Sequence, residues 1–219
     1  MPIAEYRFDE CEYNGTIDEV KDTISNFNAN RSKGGSLSTT NSGVLCRALN
    51  LKGDNIKVTS LPLNSDINGT STTVTMWVYW DGSDNKALFG FGNYSLWFYN
   101  GRFGFSTLSS LSNPDIYGIS SSGLKHSWHH ITAIFVNGDV NSCKLYIDSI
   151  KQNLTQSSTP NLKNAYVSSN VKIGGYGDDE GNKRFLGRID EVKIFNKAIE
   201  EREIRTIYNN EKNHLNFDG

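Results

Sequence analysis

The 219-residue chain has no apolar run approaching the ~20 residues that a bilayer-spanning helix needs. It has little excess of either charge, because 22 lysines and arginines stand against 24 aspartates and glutamates, for a net charge of −2. A basic surface for nucleic acid or an anionic membrane is therefore not expected. We expect no nucleic-acid partner and no direct membrane insertion.

Cysteine is also scarce. The three cysteines are Cys11, Cys46 and Cys143, and an odd number leaves at least one unpaired within the chain. None belongs to a CxxC pair, which argues against a structural zinc site. His129 and His130 are adjacent in a strand-like segment, so their side chains point to opposite faces and cannot share a metal ion.

Residues that favour strands and turns are plentiful, with 20 Gly, 10 Tyr and 11 Phe. The segment TTVTMWVYW (72–80) alternates, and Asn100-Gly101 is a strong hairpin signal between two further strands. Only AIEEREIRTIYNNEK, near Ala198–Asn210, has helical periodicity. The pattern predicts an all-β, two-sheet antiparallel jelly-roll sandwich with one short C-terminal helix, as a single domain over residues 1–219.

The string IDEVK occurs twice, at residues 17–21 and 189–193, but the flanking residues share nothing, so it is not a repeat. The first copy lies at the start of a polar loop and the second in a strand. Strict alternation places Asp190 on the same face as Val192 and Ile194 and predicts a buried carboxylate. Burying such a group is costly unless it is paired, hydrogen-bonded or metal-bound.

The segment FLGRIDEVKIFNKAIEEREIRTIYN resembles the C-terminal signature of LamG-like jelly-roll domains, in the concanavalin A-like lectin/glucanase superfamily. Other family blocks resemble YRFDE, ALNLKGDNIKV, TTVTMWVYW and HSWHHITAIFV with CKLYIDS, in the family's order. This resemblance implies two packed antiparallel sheets and a binding module for carbohydrate or protein ligands, usually in secreted or surface proteins. Two departures are Ser149, where the family has glycine, and a helix start without the usual cap.

The segments YRFDECEYNGTIDEVKD and GVLCRAL resemble LamG-like domains of bacterial surface proteins associated with mannose-sensitive haemagglutinin-type pili. That likeness implies a domain of a larger exported protein, at the cell surface, outside the cell or in the periplasm. In those domains the two cysteines appear as a pair, which implies a disulfide between Cys11 and Cys46. The alternative is that both are further buried thiols of a cytosolic protein. Cys143 shares a strand face with Leu145 and is predicted to be a buried free thiol.

Many members of the family carry a structural calcium ion. The resemblance implies that Asp190 helps to hold calcium, together with Glu10 or Asp9 and a backbone carbonyl near Gly53. The alternative is that Asp190 accepts backbone N–H bonds or pairs with an arginine, such as Arg188 or Arg47.

Two surfaces are candidates for ligand contact. The loop with Tyr176, Asp178, Asp179 and Glu180 would contact a glycan or partner at the rim, or would simply be a solvated turn. The aromatic residues Tyr94, Trp97 and Tyr117 would offer their rings to sugars if they were exposed, or would be covered by the sandwich and its loops.

The glucanases of this superfamily resemble one another in a strand motif, E-x-D-x-x-E, that carries their nucleophile and acid. The chain has neither this motif nor a GxSxG motif. We therefore expect no enzyme activity. The two remaining functions are a binding module for carbohydrate or a surface protein and a structural spacer without a ligand.

Overall fold

The computed structural model describes residues 1–32, 37–92, 94–108, 113–157, 159–161, 165–177 and 181–213. In these ranges, strands form two eight-stranded sheets in which every pairing is antiparallel. Sheet I contains β1 (Ala4–Tyr6), β3 (Ser38–Thr40), β4 (Ala48–Lys52), β6 (Ser71–Trp80), β11 (Trp128–Val136), β12 (Lys144–Ile147), β13 (Ile150–Lys151) and β16 (Leu186–Phe195). Sheet II contains β2 (Asn30–Arg31), β5 (Ile56–Val58), β7 (Lys86–Gly90), β8 (Ser95–Tyr99), β9 (Arg102–Ser106), β10 (Tyr117–Ser120), β14 (Thr155–Gln156) and β15 (Val171–Ile173).

The strand order gives the architecture. Sheet I runs β13-β12-β11-β6-β16-β4-β3, with β1 also paired to β16, and sheet II runs β14-β10-β9-β8-β7-β15-β5-β2. Two short 3-10 helices span Val140–Ser142 and Gly181–Lys183, and α1 spans Glu201–Lys212. The predicted two-sheet sandwich with a C-terminal helix is confirmed.

The core lies between the sheets and is built from alternate residues. On β6, Val74, Met76 and Val78 face the core and are at most 2% exposed, as the alternation predicts. Sheet II contributes aromatic rings, and Phe98 stacks on Trp80 with 4.1 Å between ring centroids. The interior is therefore dominated by large side chains, whose burial is the main favourable term in folding.

Helix α1 packs on the outer face of sheet I. Its Ile204 is fully buried in a small cluster with Ile134, Tyr146 and Phe195. The helix begins three residues later than its periodic sequence suggests, and Glu200 at its N-cap makes no side-chain capping bond. The missing cap is as the sequence indicated, and packing holds this helix in place.

A buried charged cluster also joins α1 to sheet I. Lys193 Nζ lies 2.7 Å from carboxylate oxygens of both Glu191 and Glu211 and 3.2 Å from one of Glu5. Burial alone would lower the pKa of Lys193, but Glu211 and Glu191 raise it above its ordinary value. Trp77 Nε1 donates to Glu211 at 2.7 Å, so the helix end is anchored by a charged pair and a hydrogen bond.

His130 lies beneath the same helix end and is fully buried. Its ring centroid is 5.3 Å from that of Trp77 and 5.8 Å from that of Tyr208. Its ring nitrogens have no hydrogen-bond partner among the described residues. Burial lowers its pKa to about 3, so the histidine is neutral at physiological pH and has a structural role.

A β-bulge interrupts β16. Ile189 pairs with Val78 and Asp190 with Trp77, but Lys193 pairs with Thr75, so β16 has one residue more than β6 over this stretch. Glu191 adopts φ 49° at the bulge. The alternation changes phase there, and the prediction that Asp190 shares a face with Val192 is wrong: Asp190 instead shares the outer face with Lys193.

Candidate functional site

A groove of about 700 Å³ lies at one edge of the sandwich. Its floor is apolar and comes from Ile134 and Val136 on β11, with Cys143 and Leu154. Tyr117, on β10 of sheet II, forms part of the wall. The remaining lining residues are small or polar: Gly69, Ser71, Asn141, Ser142, Lys144, Lys151, Gln152, Asn153 and Ala198.

Several polar side chains of the groove have no partner. The amides of Asn141 and Asn153 and the ammonium groups of Lys144 and Lys151 make no hydrogen bond or ion pair within the described ranges. The described lining of the groove contains no carboxylate. The groove thus presents unused donors and acceptors around an apolar floor, which is the usual composition of a small-molecule site.

Local hydrogen bonds fix the groove walls. Asp139 caps the 3-10 helix Val140–Ser142, with Ser142 Oγ donating to its carboxylate at 2.6 Å. The Tyr117 hydroxyl donates to the Asn141 carbonyl at 3.3 Å, which ties sheet II to the wall from sheet I. Asn141 is therefore held by backbone contacts while its side-chain amide stays available.

Beneath the floor, the Cys143 thiol lies 2.6 Å from the Tyr94 hydroxyl. Cys143 is buried and free, which confirms the prediction, and burial raises its pKa to about 12. Tyr94 has no exposed surface and its hydroxyl also donates to the Val136 carbonyl. It is a core residue, so the prediction that Tyr94 contacts a ligand is wrong.

The family follows from a comparison with known sequence families. A laminin G family model, described as the concanavalin A-like lectin/glucanases superfamily, matches residues 52–205, more than two thirds of the chain. The chain belongs to this superfamily. The matched range contains most of the groove lining, including Tyr117 and the segment from Ile134 to Leu154. No match was found among curated proteins.

Several solved structures are similar to this chain in fold. Domain 4 of AbnA, a GH43 extracellular arabinanase from Geobacillus stearothermophilus in complex with arabinotriose, is 18% identical with a TM-score of 0.63, and the match covers 94% of this chain and 98% of that domain. The receptor binding domain of botulinum neurotoxin D is 15% identical with a TM-score of 0.62, covering 95% and 52%. The serotype D domain in complex with N-acetylneuraminic acid is 17% identical with a TM-score of 0.60, covering 95% and 50%. The chain spans about half the length of these neurotoxin domains, and the likeness is one of fold.

Trp97 lies on the outer face of sheet II but is completely covered. Its ring is 4.8 Å from that of Tyr176, with Lys183 Nζ 5.5 Å above it, and its Nε1 donates to Ser95 Oγ. Trp97 cannot stack on a sugar in this arrangement, so the alternative that a loop covers the strand is correct. Tyr176 is half-buried, and its role in binding stays a prediction, while Asp178, Asp179 and Glu180 lie outside the described residues.

The residues predicted to hold calcium each have hydrogen-bond partners within the protein. Asp190 is buried, as predicted, and its carboxylate accepts N–H bonds from Val44 at 2.8 Å, Leu45 at 3.2 Å and Glu191 at 2.9 Å. These bonds lower the pKa of Asp190, but burial outweighs them and raises it well above the ordinary value. This environment matches the alternative of backbone hydrogen bonding.

The other predicted ligands have partners of their own. Asp9 accepts from the Arg47 N–H at 3.3 Å, Glu10 from the Tyr13 hydroxyl at 2.9 Å, and the Gly53 carbonyl from the Arg184 guanidinium at 3.2 Å. Within the described ranges, no three histidine, cysteine or acidic side chains are grouped to hold a metal ion. Calcium binding stays a prediction, whose test is given below.

Cys11 and Cys46 are both exposed free thiols, so the predicted disulfide is not formed in this structure. Hydrogen bonds join their two loops instead, because the Arg47 guanidinium donates to the Cys11 carbonyl at 3.0 Å and to Thr39 Oγ1 at 2.6 Å. The alternative of two buried thiols is also wrong. Arg47 thus links the two loops that the predicted disulfide would have joined.

Sequence reasoning missed most of the groove. Of its described lining, only Tyr117 was singled out as a ligand contact, and the asparagines and lysines were not. A weak signal was present in Gln152-Asn153, a polar pair directly after the two-residue strand β13 at the sheet edge. No helix in the described part of the chain has the length and apolar character to cross a membrane.

Proposed function

We propose that the protein is a non-catalytic carbohydrate-binding module and that the groove beside Tyr117 is its ligand site. The observation that carries this proposal is the groove itself, whose amide and ammonium groups have no partner among the described residues and line the same space as the Tyr117 ring. Its volume of about 700 Å³ falls within the roughly 300–1,000 Å³ typical of ligand sites.

The groove has the chemistry that a neutral sugar requires. Sugar hydroxyls would accept from Lys144 and Lys151 and would exchange bonds with the amides of Asn141 and Asn153. The apolar C–H face of a sugar ring would pack against Tyr117, whose hydroxyl is already held by the Asn141 carbonyl. Glycoside hydrolysis uses a pair of carboxylates in most families, and the described lining supplies none. Binding rather than hydrolysis is the function proposed.

The proposed setting is extracellular or at a bacterial cell surface, as part of a larger exported protein. This inference rests on the resemblance to surface-protein domains and on a glycan ligand, which such proteins meet outside the cell. A protein ligand at the groove and a spacer without any ligand are the competing functions, and the experiment below separates them.

The test measures binding of neutral trisaccharides, with arabinotriose in the panel, to the wild-type protein and Tyr117→Ala by isothermal titration calorimetry. We expect at least one trisaccharide to bind and Tyr117→Ala to weaken it about tenfold, because the ring contact is lost. Tyr176→Ala is the matched control, since it removes a half-buried tyrosine that lies outside the groove.

Three results would contradict the proposal. Binding that Tyr176→Ala abolishes and Tyr117→Ala leaves intact would move the site to the loop around Tyr176. Absence of binding across the whole panel would favour the spacer function. Release of free sugar from a bound trisaccharide would show that the protein is an enzyme.

A further inference from the structure

A row of side chains crosses the outer face of sheet I, beyond the part that α1 covers. Strand pairing aligns Trp128 with Tyr79, Tyr79 with Arg188, Arg188 with Asn50, and Asn50 with Ser38. Directly paired residues project from the same face of a sheet, so the five side chains form one line across five strands. At about 4.8 Å per strand, this line is about 19 Å long.

Arg188 is the centre of the row. Its guanidinium carbon lies 4.7 Å from the centroid of the Tyr79 ring, and that ring meets Trp128 edge-on at 5.9 Å. Stacking on Tyr79 holds the guanidinium plane in place. Within the described ranges, the Arg188 guanidinium makes no hydrogen bond or ion pair, so its five N–H donors are unused.

A cavity of about 260 Å³ adjoins Arg188 and Tyr79. Lys52, which lines it, is exposed and likewise has no partner among the described residues. The one acid in its described lining, Asp81, accepts from the Ser83 N–H at 2.8 Å and from the Ser83 hydroxyl at 3.0 Å. The cavity therefore has two cations without a partner in the described structure and one carboxylate, each of whose oxygens accepts one hydrogen bond.

We propose that this row is a second binding site, which takes a carboxylate-bearing sugar of the uronic or sialic acid type. The carboxylate would receive a bidentate pair of N–H bonds from Arg188, the geometry for which a planar guanidinium is suited. Lys52 adds positive charge on one side of it, and Asn50 supplies an amide for the sugar hydroxyls. The site shares no residue with the groove beside Tyr117 and does not depend on the function proposed for it.

The aromatic residues of the row favour a sugar over an acidic peptide. Tyr79 and Trp128 are half-buried aromatic residues beside the guanidinium, and sugar rings pack their C–H faces against such surfaces. A peptide that extends a sheet pairs along a free edge strand. The row instead runs across the strands, and its centre lies away from the free edge of β3. A peptide therefore could not extend the sheet at this place. Carboxylate recognition with ring packing is the chemistry that remains.

The experiment titrates the intact protein with trigalacturonic acid and with its methyl ester, which has the same backbone without the charge. A second matched pair is 3′-sialyllactose and lactose. We expect at least one acidic sugar to bind and its neutral counterpart to bind about tenfold more weakly or not at all. Added salt should weaken the acidic sugar and leave neutral binding unchanged.

Variants locate the site. Arg188→Gln should weaken the acidic sugar about tenfold or more, and Arg188→Lys should recover part of that affinity because it retains the charge without the planar pair of donors. Arg205→Gln removes an exposed arginine from α1 and is the control for net charge. Lys144→Gln with Lys151→Gln is the control for the groove, and we expect neither control to change the affinity.

The proposal is overturned if neither acidic sugar binds with a Kd below about 10 mM. It is also overturned if Arg188→Gln, shown by its melting curve to be folded, keeps full affinity, or if the two lysine substitutions abolish binding. Hexaglutamate that binds more tightly than both acidic sugars would show that the row recognises an acidic peptide instead.

Discussion

The turn between β12 and β13 places two residues other than glycine in the left-handed backbone region. Asp148 has φ 51° and Ser149 has φ 65°. The backbone strain at Asp148 is offset by two side-chain contacts. Its carboxylate accepts from the His130 N–H at 2.9 Å and contacts His129 Nδ1 at 2.8 Å. The structure gives no such bond to the Ser149 side chain, so only its strain remains.

Ser149→Gly should therefore stabilise the protein. A left-handed conformation costs an L-residue roughly 1–2 kcal/mol, and the greater chain entropy of glycine offsets part of the gain, so we expect the free energy of unfolding to rise by about 0.5–1 kcal/mol. Urea denaturation measures this change. Asp148→Gly is the matched control and should destabilise, since it removes two hydrogen bonds along with the strain. Stabilisation by both substitutions would show that backbone strain alone governs this turn.

Asp190 shows how far sequence reasoning reaches at the level of one residue. Its burial was predicted correctly, but from an alternation that the bulge in β16 breaks. The bulge had a visible trace, because the apolar positions change from Ile189 to Val192, an odd spacing within one strand. The partners of Asp190 were not predictable, because Val44 and Leu45 are about 145 residues away in sequence.

Among the elements, α1 and its attachment to sheet I give the clearest energetic contrast. Lys193 is the only cation within ion-pair distance of Glu191 and Glu211 in the described structure, and the side chains of all three are at most 13% exposed. Arg7 also pairs with Glu5, at 3.3 Å, but its side chain is 51% exposed. The two cations thus differ mainly in their exposure to solvent.

Lys193→Met should cost about 3–5 kcal/mol in the free energy of unfolding, because it leaves buried carboxylates without their cation. Arg7→Met, the matched control, should cost less than about 1 kcal/mol, because water already screens its ion pair. Guanidinium denaturation of both variants measures the two losses in the free energy of unfolding. Equal and small losses would mean that the carboxylates take up protons without penalty and that apolar packing alone holds α1.

Elements with a regular local pattern were predictable, and pairings between distant segments were not. The periodicity of residues 198–212 and the alternation of β6 depend on neighbours in sequence. The IDEVK string shows the limit: Ile17 in the first copy is 85% exposed in a loop, while Ile189 in the second is fully buried. The same five residues therefore lie in different environments, because contacts with distant segments determine the structure of each copy.

At the scale of the whole molecule, the calcium prediction can be tested by thermal unfolding. Binding of calcium to the folded form alone would add RT ln(1 + [L]/Kd), or about 2.7 kcal/mol at a hundredfold excess over Kd. Calcium should then raise the melting temperature, and a chelator should lower it. An unchanged melting temperature in both conditions would contradict the prediction.

Asp190→Asn separates the metal from the hydrogen bonds. The amide cannot accept all three N–H bonds of the carboxylate, so the variant should melt lower than the wild type even in chelator. Asp9→Asn is the control, since among the described residues Asp9 accepts only one weak bond, from the Arg47 N–H at 3.3 Å. A calcium effect that survives both substitutions would place the ion elsewhere.

The fold was predictable as a whole because many short segments independently indicate strands and because their order resembles one family. The groove beside Tyr117 was not, because its walls come from β6, β10, β11, the 3-10 helix after β11 and the segment after β13. Each of those segments contributes only a few lining residues, and only their juxtaposition makes a site. A single sequence records the members of such a set but not their proximity.

The bulge in β16 also bears on how this chain can vary in length. Loss of a single residue from the middle of a buried strand normally moves every side chain in one half of the strand to the opposite face of the sheet. At Glu191 the extra residue has no counterpart on β6, so its removal would leave Ile189, Val192 and Ile194 directed to the core and Lys193 directed outward. This is a place in β16 where evolution can delete one codon without exchanging the interior and exterior of the strand.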